Sequence, residues 1–517
     1  MFSIRKIRIT LAVLFFALLT LLFLDFTGTL HLWLGWMAKV QFVPALLAHS
    51  IVIVLGIVIL TLLFGRVYCS VICPLGIFQD GVSRLSKRRR KGGFRYASPL
   101  RLFRYGVMAL FVVVLVAGMG GVIVSLLDPY AAYGRMASTL LSPLYYWVNN
   151  LLAHFSERLD SYAFYAIDVW LKSVITLGVA VATFFIVGVL AWLNGRIYCN
   201  TVCPVGTLLG FIARFSLFKV VFDREKCTHC QRCERYCKAS CIDVASMHVD
   251  YSRCVGCFNC IEKCRFDAMK LAPPSLKPLP APPKEIGDVR DADASRHCER
   301  SEAIQAKTIS RRKALSIMAL FAAGGILKAQ HAAVDGGLAF IEDKKIPNRK
   351  TPIAPPGALA LAHLRQHCTA CQLCITTCPN DVLQPSNRLS TLMQPEMSYK
   401  RGYCRPGCTT CSHVCPAGAI KPVTAAEKSA IAIGYAVWIK ENCMVNSNDV
   451  QCTTCQRHCP TGAIMLVARN SVGGDSLKIP VIDRERCIGC GACEHLCPAR
   501  PFRAIYVEGN VEHCVID

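Results

Sequence analysis

Charged residues are scarce in this sequence, where they make up 18% of 517 residues, and acids are the scarcest, with 34 Asp and Glu against 58 Lys and Arg. Together with 53% hydrophobic residues, this shortage excludes a disordered chain and favours membrane segments beside globular domains. No C-x-x-C-H motif occurs, which argues against covalently attached c-type haem. The chain does hold 31 cysteines, nearly all in C-x2-C or C-x3-C runs, a spacing typical of metal ligands rather than of disulfides.

Four apolar segments, at 9–24, 44–64, 107–127 and 174–193, come near the roughly 20 residues that a membrane-spanning helix needs. The loop at 65–104 holds ten Lys and Arg and one acid, whereas the loop at 128–172 holds three basic and four acidic residues. The positive-inside rule therefore places the amino terminus and the 65–104 loop in the cytoplasm. This topology explains much of the basic excess. Iron–sulfur clusters held by cysteines, each with a net charge of about −2, would offset more of it, so we predict no nucleic-acid partner.

A repeat marks the ends of the second and fourth apolar segments. The sequence G-R-V-Y-C-S-V-I-C-P-L-G at 65–76 recurs as G-R-I-Y-C-N-T-V-C-P-V-G at 195–206. The two cysteines of each copy are one helical turn apart, so both thiols share a helix face. We expect the four to lie together and to bind a metal or cluster, or to act as a redox dithiol pair: Cys69, Cys73, Cys199 and Cys203. The alternative is that small buried cysteines pack the helix ends.

Two C-x2-C-x2-C-x3-C runs follow the fourth segment. This is the spacing of bacterial two-cluster ferredoxins, in which the fourth cysteine of each run serves the other cluster. One predicted cluster is held by Cys227, Cys230, Cys233 and Cys264. The other is held by Cys254, Cys257, Cys260 and Cys237. Soft thiolate-only ligand sets favour iron–sulfur clusters, and a pair of zinc sites is the alternative.

Four further runs, each followed by Pro, lie nearer the carboxyl terminus; the inner two are stretched at the first gap. Their sixteen cysteines predict four more [4Fe–4S] clusters, six in all, and electron conduction as the task of this half. These cysteines are Cys368, Cys371, Cys374, Cys378, Cys404, Cys408, Cys411, Cys415, Cys443, Cys452, Cys455, Cys459, Cys487, Cys490, Cys493 and Cys497. Cys241, Cys298 and Cys514 belong to no run.

The predicted architecture is an α-helical membrane domain with four spanning helices (1–215) and two ferredoxin-like α+β multi-cluster domains, at 216–272 in the cytoplasm and 331–517 in the periplasm. A Pro-rich and then polar linker occupies 273–309. In the next segment, 310–330, Arg311 and Arg312 precede a short uncharged stretch, as in the twin-arginine address of proteins exported folded. No Ala-x-Ala cleavage site follows closely, so we expect an uncleaved anchor; an ordinary basic flank of a fifth helix is the alternative.

The residues up to about 270 resemble the NapH/MauN family of membrane ferredoxin-type proteins, in their four apolar segments, two C-x3-C-P motifs and two cluster runs. Those from Ser310 onward resemble the NapG/MauM family of twin-arginine polyferredoxins, so the chain looks like a fusion of the two. NosR-type and CcoG-type proteins share the membrane module, although the flavin-binding domain of the former is not evident. The resemblance implies a quinol dehydrogenase of the bacterial inner membrane that feeds a periplasmic reductase, typically nitrate reductase, or its electron-carrier subunit.

The resemblance also implies a pairing, because in related four-run subunits the outer runs pair and the inner runs pair. Carried over, Cys497 joins Cys368, Cys371 and Cys374, and Cys378 joins Cys487, Cys490 and Cys493. Likewise Cys459 joins Cys404, Cys408 and Cys411, and Cys415 joins Cys443, Cys452 and Cys455.

The membrane quinone pool is the expected electron source, and the quinone site is expected among ionisable groups at or near membrane depth. The candidates are His49 and His31, with Asp25; bonding to water or lipid headgroups is the alternative. No catalytic residue is predicted. The competing function is a maturation or reactivation factor that delivers electrons from cytoplasmic donors to an exported metalloenzyme, and a scaffold of a larger respiratory complex is a third. The cytoplasmic cluster pair favours the maturation factor, since quinol oxidation alone does not obviously need it.

Overall fold

The structure is a computed structural model that describes residues 4–89, 93–118, 121–161, 164–223, 225–273, 343–469 and 477–516. The described residues up to 273 and those from Ile346 onward form one compact unit. Nearly all of the predicted linker, the twin-arginine segment at 310–330 and Cys298 lie outside the described residues.

The amino-terminal half is helical, since its apolar runs of Leu, Ile, Val and Phe are longer than ordinary strands and a helix satisfies their backbone hydrogen bonds within each run. Its helices are α1 Ile4–Leu24, α2 Thr29–Leu34, α3 Trp36–Lys39, α4 Phe42–Leu47, α5 Ile51–Phe64, α6 Tyr68–Val71, α7 Pro74–Arg89, α8 Arg101–Val116, α9 Gly121–Leu127, α10 Pro129–Met136, α11 Ser142–Arg158, α12 Val174–Asn194, α13 Ile197–Thr201 and α14 Pro204–Ile212. A π-helical turn, Ala137–Leu141, joins α10 to α11, and a 3-10 turn, Ala213–Phe215, follows α14.

The N-terminal ferredoxin part (219–272) contains two small antiparallel sheets. They pair β1 Lys219–Phe222 with β4 Met269–Ala272 and β2 Ile242–Asp243 with β3 His248–Val249. Its short helices are α15 Arg232–Arg235 and α16 Asn259–Lys263.

The C-terminal ferredoxin part (346–516) repeats this plan with antiparallel strand pairs and one-turn helices. Its strands pair β5 Leu383–Pro385 with β6 Pro395–Met397, β7 Ile431–Trp438 with β10 Ile505–Val515, and β8 Ile464–Ala468 with β9 Lys478–Ile482. Its α-helices are α17 Leu361–His367, α18 Leu373–Thr376, α19 Thr410–Val414, α20 Ala425–Ala430, α21 Met444–Ser447, α22 Thr454–Arg457 and α23 Ala492–Leu496. Its 3-10 turns are Leu389–Thr391 and Lys440–Asn442.

Two helices, α1 and α12, each of 21 residues, are long and apolar enough to cross a membrane, where the sequence predicted four. The second predicted segment divides into α4 and α5 because His49 between them has φ 54°, a left-handed backbone that a helix does not continue through. The third divides because Gly118, at φ 67°, follows the end of α8. The prediction of four full-length spanning helices is corrected accordingly: α5 has 14 residues and α8 has 16.

Helix α12 connects the two ferredoxin parts. Just before its first residue, the Ser173 hydroxyl donates to Asn387 Oδ1 of the C-terminal part at 2.8 Å. Just after its last turn, the Arg196 N–H donates to the Lys238 carbonyl of the N-terminal part at 2.8 Å. At a rise of about 1.5 Å per residue, the 21 residues between these contacts separate the two ferredoxin parts by about 30 Å.

The stretch between α1 and α5 leaves the C-terminal ferredoxin part, reaches the first repeat and returns. It begins beside Thr410. At its middle, the Phe42 N–H donates to Tyr68 Oη at 3.0 Å. It ends at His49, whose ring lies 5.9 Å from that of His367.

The stretch from α9 to α10 makes the same excursion. It begins against Gln394, and Asp128 at its middle lies within electrostatic range of Tyr198 in the second repeat. It then returns, so that Gly134 packs against the Cys371 carbonyl. Both repeats are therefore approached from the side of the C-terminal ferredoxin part by short helical hairpins that a search for long apolar runs does not separate.

Candidate iron–sulfur sites

The structure brings the cysteines of the N-terminal ferredoxin part together as the two-cluster rule expects. Site 1, around one cavity, consists of Cys227, Cys230, Cys233 and Cys264. Site 2, around a second cavity, consists of Cys254, Cys257, Cys260 and Cys237.

Cys241, which sequence reasoning left without a role, also lines the cavity of site 2. It is 1% exposed, and its Sγ lies 3.5 Å from that of Cys237. The hydrogen bond between them lowers the pKa of Cys237 to about 7 and raises that of Cys241. The Cys241 thiol is thus placed to donate a hydrogen bond to the Cys237 sulfur if that sulfur is a thiolate ligand. The available signal was its position four residues after the last cysteine of the run.

The C-terminal ferredoxin part has four sites, each completed by the fourth cysteine of a neighbouring run. Site 3 consists of Cys368, Cys371, Cys374 and Cys415. Site 4 consists of Cys404, Cys408, Cys411 and Cys378. Site 5 consists of Cys487, Cys490, Cys493 and Cys459. Site 6, around one cavity, consists of Cys443, Cys452, Cys455 and Cys497.

This arrangement corrects the pairing implied by related four-run subunits. Cys497 completes site 6 rather than the first run, and Cys378 completes site 4 rather than the last run. Cys415 completes site 3 rather than the third run, and Cys459 completes site 5 rather than the second run. The first run pairs with the second and the third with the fourth, because each adjacent pair folds as one compact ferredoxin unit.

The backbone explains how a regular run directs three thiols inward. The residue after the second cysteine adopts a left-handed conformation, with φ between 55° and 79°, and starts the short helix that carries the third cysteine. These residues are Gln231, Phe258, Gln372 and Gly491. In the stretched runs the equivalent residues, Thr409 and Thr453, have φ of −114° and −120°, so the longer first gap substitutes for the left-handed turn.

Sites 3 to 6 adjoin one another in numerical order. Sites 3 and 4 share two runs, as do sites 5 and 6. The two pairs meet where the Cys404 N–H donates to the Cys490 carbonyl at 3.0 Å, which joins site 4 to site 5. Site 3 lies against α10, where Gly134 packs against the Cys371 carbonyl.

The four cysteines of the repeats, called the quartet here, lie together. Cys73 and Cys203 are each within electrostatic range of both Cys69 and Cys199. All four are buried, with at most 4% exposed. Two sulfurs accept hydrogen bonds at 3.4 Å: Cys199 from Gln79 Nε2 and Cys203 from the Gly206 N–H.

The repeated arginines cross over between the two copies. Arg66 Nη2 donates to the Cys199 carbonyl at 3.1 Å, and Arg196 Nη1 donates to the Cys69 carbonyl at 2.7 Å. Each guanidinium also approaches a thiol of its own copy, at 3.9 Å for Arg66 to Cys69 and 4.0 Å for Arg196 to Cys199. The two copies therefore interlock around a pseudo-two-fold axis that passes through the quartet.

The repeated glycines make room for these arginines. A Cβ at Gly76 would lie 2.3 Å from the Cys69 carbonyl oxygen and 2.7 Å from Arg196 Nη1. A Cβ at Gly206 would lie 2.1 Å from the Cys199 carbonyl oxygen, with the same clash against the other arginine. Each copy therefore needs glycine where the partner copy's guanidinium passes.

Buried cations fit an anionic group at the quartet. Arg66 and Arg196 are 0% exposed. Four thiolates around a four-iron core carry about −2, and a buried charge of that size requires opposite charge nearby. Arg135 on α10 is also 0% exposed, and none of its three guanidinium nitrogens has a hydrogen-bond partner. It lies within electrostatic range of both Tyr198 and Cys371, and so between the quartet and site 3.

Single-ion sites are not found in the part of the chain that the structure describes. There, no three His, Cys, Asp or Glu side chains approach as closely as one metal ion requires. All the described cysteines are free of disulfides, and the exposed Cys514 joins no site.

The two histidines predicted for quinone binding, His31 and His49, have different contacts. His31 contacts Asp25, with Nδ1 3.4 Å from Oδ2, and that carboxylate also accepts the N–H groups of Thr27, Gly28 and Leu30, so it organises the turn before α2. His49 is exposed at the start of α5. A cavity of about 200 Å³ lies at the amino-terminal end of α12, and neither histidine lines it.

Comparisons with known proteins agree with these cysteine sites. A family described as a 4Fe-4S binding domain matches residues 46–92 and 176–222, which are the two repeats with their preceding helices. A 4Fe-4S dicluster domain matches residues 450–500, which hold most of sites 5 and 6. The chain is 32% identical over 168 residues to the methylamine utilization ferredoxin-type protein MauM of Methylobacillus flagellatus, covering 31% of this chain and 70% of that protein.

It is also 30% identical over 158 residues to the ferredoxin-type protein NapF of Escherichia coli, covering 31% of this chain and 87% of that protein. It is 27% identical over 218 residues to the ferredoxin-type protein NapH of Haemophilus influenzae, covering 40% and 62%. The chain covers a third of the length of one further relative and about half of the length of another. No solved structure matches.

Proposed function

Since the chain belongs to the family of ferredoxin-type electron-transport proteins with 4Fe–4S domains, we propose that it oxidises quinol in a bacterial inner membrane and conducts the electrons to a periplasmic reductase. The observation that carries this proposal is the placement of cysteine sites at both ends of a membrane-length helix. Sites 1 and 2 lie at one end of α12, sites 3 to 6 at the other, and the quartet between them.

The direction across the membrane follows from charge. The basic loop at 65–104 and the N-terminal ferredoxin part lie at the same end of α12, where the positive-inside rule puts the cytoplasm. Sites 3 to 6 then face the periplasm. In this proposal α1 and α12 cross the membrane, and the hairpins that reach the repeats enter from the periplasmic face.

The cofactor content that we propose is seven [4Fe–4S] clusters, one for each of sites 1 to 6 and one for the quartet. Such clusters supply one-electron storage and transfer. The protein's own part is to hold the thiolates, to donate hydrogen bonds to sulfur, and to place buried arginines near the charge. At the quartet these roles fall to Gln79, Arg66 and Arg196.

A maturation factor is the second candidate, and one feature favours it. Lys238, next to the site 2 ligand Cys237, reaches Asp80 at 3.4 Å, and Asp80 also binds Arg196 beside the quartet. The cytoplasmic sites are therefore structurally joined to the quartet, as delivery of electrons from a cytoplasmic donor would require.

Anaerobic reduction distinguishes the two candidates. The detergent-solubilised full chain is mixed with a menaquinol analogue and followed by low-temperature EPR. Under the first proposal, quinol alone produces reduced-cluster signals. If dithionite produces them and quinol does not, quinol oxidation is refuted, and reduction by a cytoplasmic reductase would then support the maturation function.

The quartet has its own test. A double Cys69→Ser, Cys199→Ser variant should lose one cluster's iron per chain and one EPR component, while sites 1 to 6 keep theirs. Cys514→Ser is the matched control, because that thiol is exposed and joins no site. Unchanged iron in the double variant would leave helix-end packing as the role of the quartet.

A further inference from the structure

A cavity of about 200 Å³ lies where α11 and α12 meet the C-terminal ferredoxin part. Its membrane side is aromatic, formed by Phe26, Tyr146 and Tyr165. This volume is below the roughly 300–1,000 Å³ of pockets for drug-sized ligands, so the cavity suits a single flat ring.

Two polar groups in the wall lack partners. The Ser138 hydroxyl donates to Gln372 Oε1 at 3.1 Å, which leaves Gln372 Nε2 buried with no hydrogen bond. Thr176, in the first turn of α12, also has a buried hydroxyl with no partner. These residues are 5% and 2% exposed, and a buried polar group left unpaired is costly enough to indicate an absent ligand.

The cavity adjoins a helix face suited to lipid. Helix α11, which supplies Tyr146 to the wall, exposes a row of large apolar side chains along its length, including Trp147, Leu151 and Phe155, each more than half exposed. An amphipathic helix with such a face lies in the membrane interface. A ligand with an apolar tail thus has a route from the bilayer to the aromatic wall.

The opposite wall belongs to a cluster site. Cys378, a member of site 4, lines the cavity. Lys172 closes the wall beside it, since its Nζ donates to the Ile375 carbonyl at 2.9 Å and lies 3.6 Å from Asp381 Oδ1. A ring in the cavity would therefore lie directly against the backbone that holds two cluster ligands, Cys374 and Cys378.

We propose that this cavity binds the ring of a quinol, with Gln372 and Thr176 as its hydrogen-bonding partners and site 4 as the first electron acceptor. This inference rests on the proposed function and names the place of its substrate, away from His49 and His31. Quinol becomes quinone by losing two electrons and two protons. The electrons reduce two [4Fe–4S]²⁺ clusters to [4Fe–4S]⁺, one electron each, and the protons pass to water at the mouth, where the Asp168 side chain is exposed.

Substitution at the two unpaired groups tests the proposal. Gln372→Leu and Thr176→Val should each raise the KM for a menaquinol analogue about fivefold to tenfold, the loss expected for one hydrogen bond. Thr183→Val is the matched control on the same helix, because the Thr183 hydroxyl donates to the Val179 carbonyl and does not line the cavity. Dithionite-reduced EPR spectra identical to the unsubstituted protein's would show that the clusters are intact in all three.

Photolabelling gives a readout that does not depend on activity. An azidoquinone irradiated with the full chain should label peptides containing 165–176 and 372–381, and unlabelled quinone should compete. Labelling elsewhere, or unchanged KM in both variants while quinol still reduces the unsubstituted protein, overturns the site but leaves the proposed function standing. If quinol fails to reduce clusters that dithionite reduces, the proposed function falls and this site with it.

Discussion

Replacing Asp80 with asparagine removes one negative charge from the centre of a buried cationic cluster. The Asp80 carboxylate lies 2.8 Å from Arg196 Nε, 3.2 Å from Arg8 Nη1 and 3.4 Å from Lys238 Nζ. These cations come from the second repeat, from α1 and from the N-terminal ferredoxin part, so one side chain joins three elements. Asparagine keeps the shape but leaves three mutually repelling cations.

Each contact is worth about 5 kcal/mol in gross Coulomb energy at an effective dielectric constant of about 20. Most of this offsets the cost of desolvating the charges, and removal of one partner of a buried pair costs about 3–5 kcal/mol in practice. Since domains are stable by only about 5–15 kcal/mol, Asp80→Asn should remove a large fraction of the free energy of unfolding. The Arg196–Cys69 hydrogen bond depends on this anchor, so the quartet should lose its iron first.

The pH dependence has a definite sign. Burial alone raises the pKa of Asp80, but Arg196, Lys238 and Arg8 lower it well below its usual value. A depressed folded-state pKa contributes stability that is complete above the unfolded pKa of about 3.9 and is lost only as the pH falls through the folded value. The difference in stability between Asp80→Asn and the unsubstituted protein should therefore be constant from about pH 5 to 8.

The assay is thermal unfolding in detergent, with iron content measured in parallel. Asp223→Asn is the control, because its ion pair with Lys270 is partly exposed and should contribute at most about 1 kcal/mol. Equal shifts in the unfolding midpoint for the two variants would refute the reasoning, as would an Asp80 effect that disappears between pH 5 and 8.

Three further substitutions test separate parts of the structure. Gly76→Ala should displace Arg196 and cause the quartet to lose its iron. Gly81→Ala in the same helix is the control, because its added Cβ would have nothing within 4 Å. Equal iron content in the two variants would refute the close approach of Arg196 to Gly76. Cys241→Ala should leave site 2 filled but lower its midpoint potential by about 40 mV, because the Cys237 sulfur loses its hydrogen-bond donor. That shift is the one-electron equivalent of one hydrogen bond of about 1 kcal/mol. Redox-titrated EPR measures the potential, and an unchanged potential would exclude the hydrogen bond. Cys497→Ser should perturb the cluster of the third run and spare that of the first, with the reverse result restoring the outer–inner pairing.

Spacing predicted which cysteines of a run lie together, but not which run completes each site. A gap such as C-x2-C-x2-C determines which thiols share a loop, because the loop is local. The fourth cysteine of each site comes from another run, so its position depends on tertiary folding. The two-cluster rule for adjacent runs, which places Cys264 in site 1, also places Cys415 in site 3 and Cys378 in site 4. The pairing carried over from four-run relatives overrode that rule and was wrong.

The membrane half shows a different limit of sequence reasoning. Apolar runs located the helices, but length alone did not show that His49 and Gly118 interrupt them, since backbone breaks depend on where the chain must turn. The repeat predicted that the quartet would lie together. It did not reveal the exchange of Arg66 and Arg196 between copies, because that contact joins residues whose proximity only the pseudo-two-fold arrangement creates.

Arg135 connects these observations to conduction. A fully buried guanidinium without a hydrogen bond is among the most costly groups in a folded protein. Asp128 is the acid that interacts with it electrostatically, but both Asp128 oxygens already accept hydrogen bonds from the N–H groups of Tyr130 and Ala131. The cost is offset if anions lie on both sides of α10, at the quartet and at site 3. The same cation would then stabilise negative charge arriving at either site, which favours electron passage between them. In the proposed path, the short helical hairpin that carries Arg135 therefore lies between these two sets of ligands.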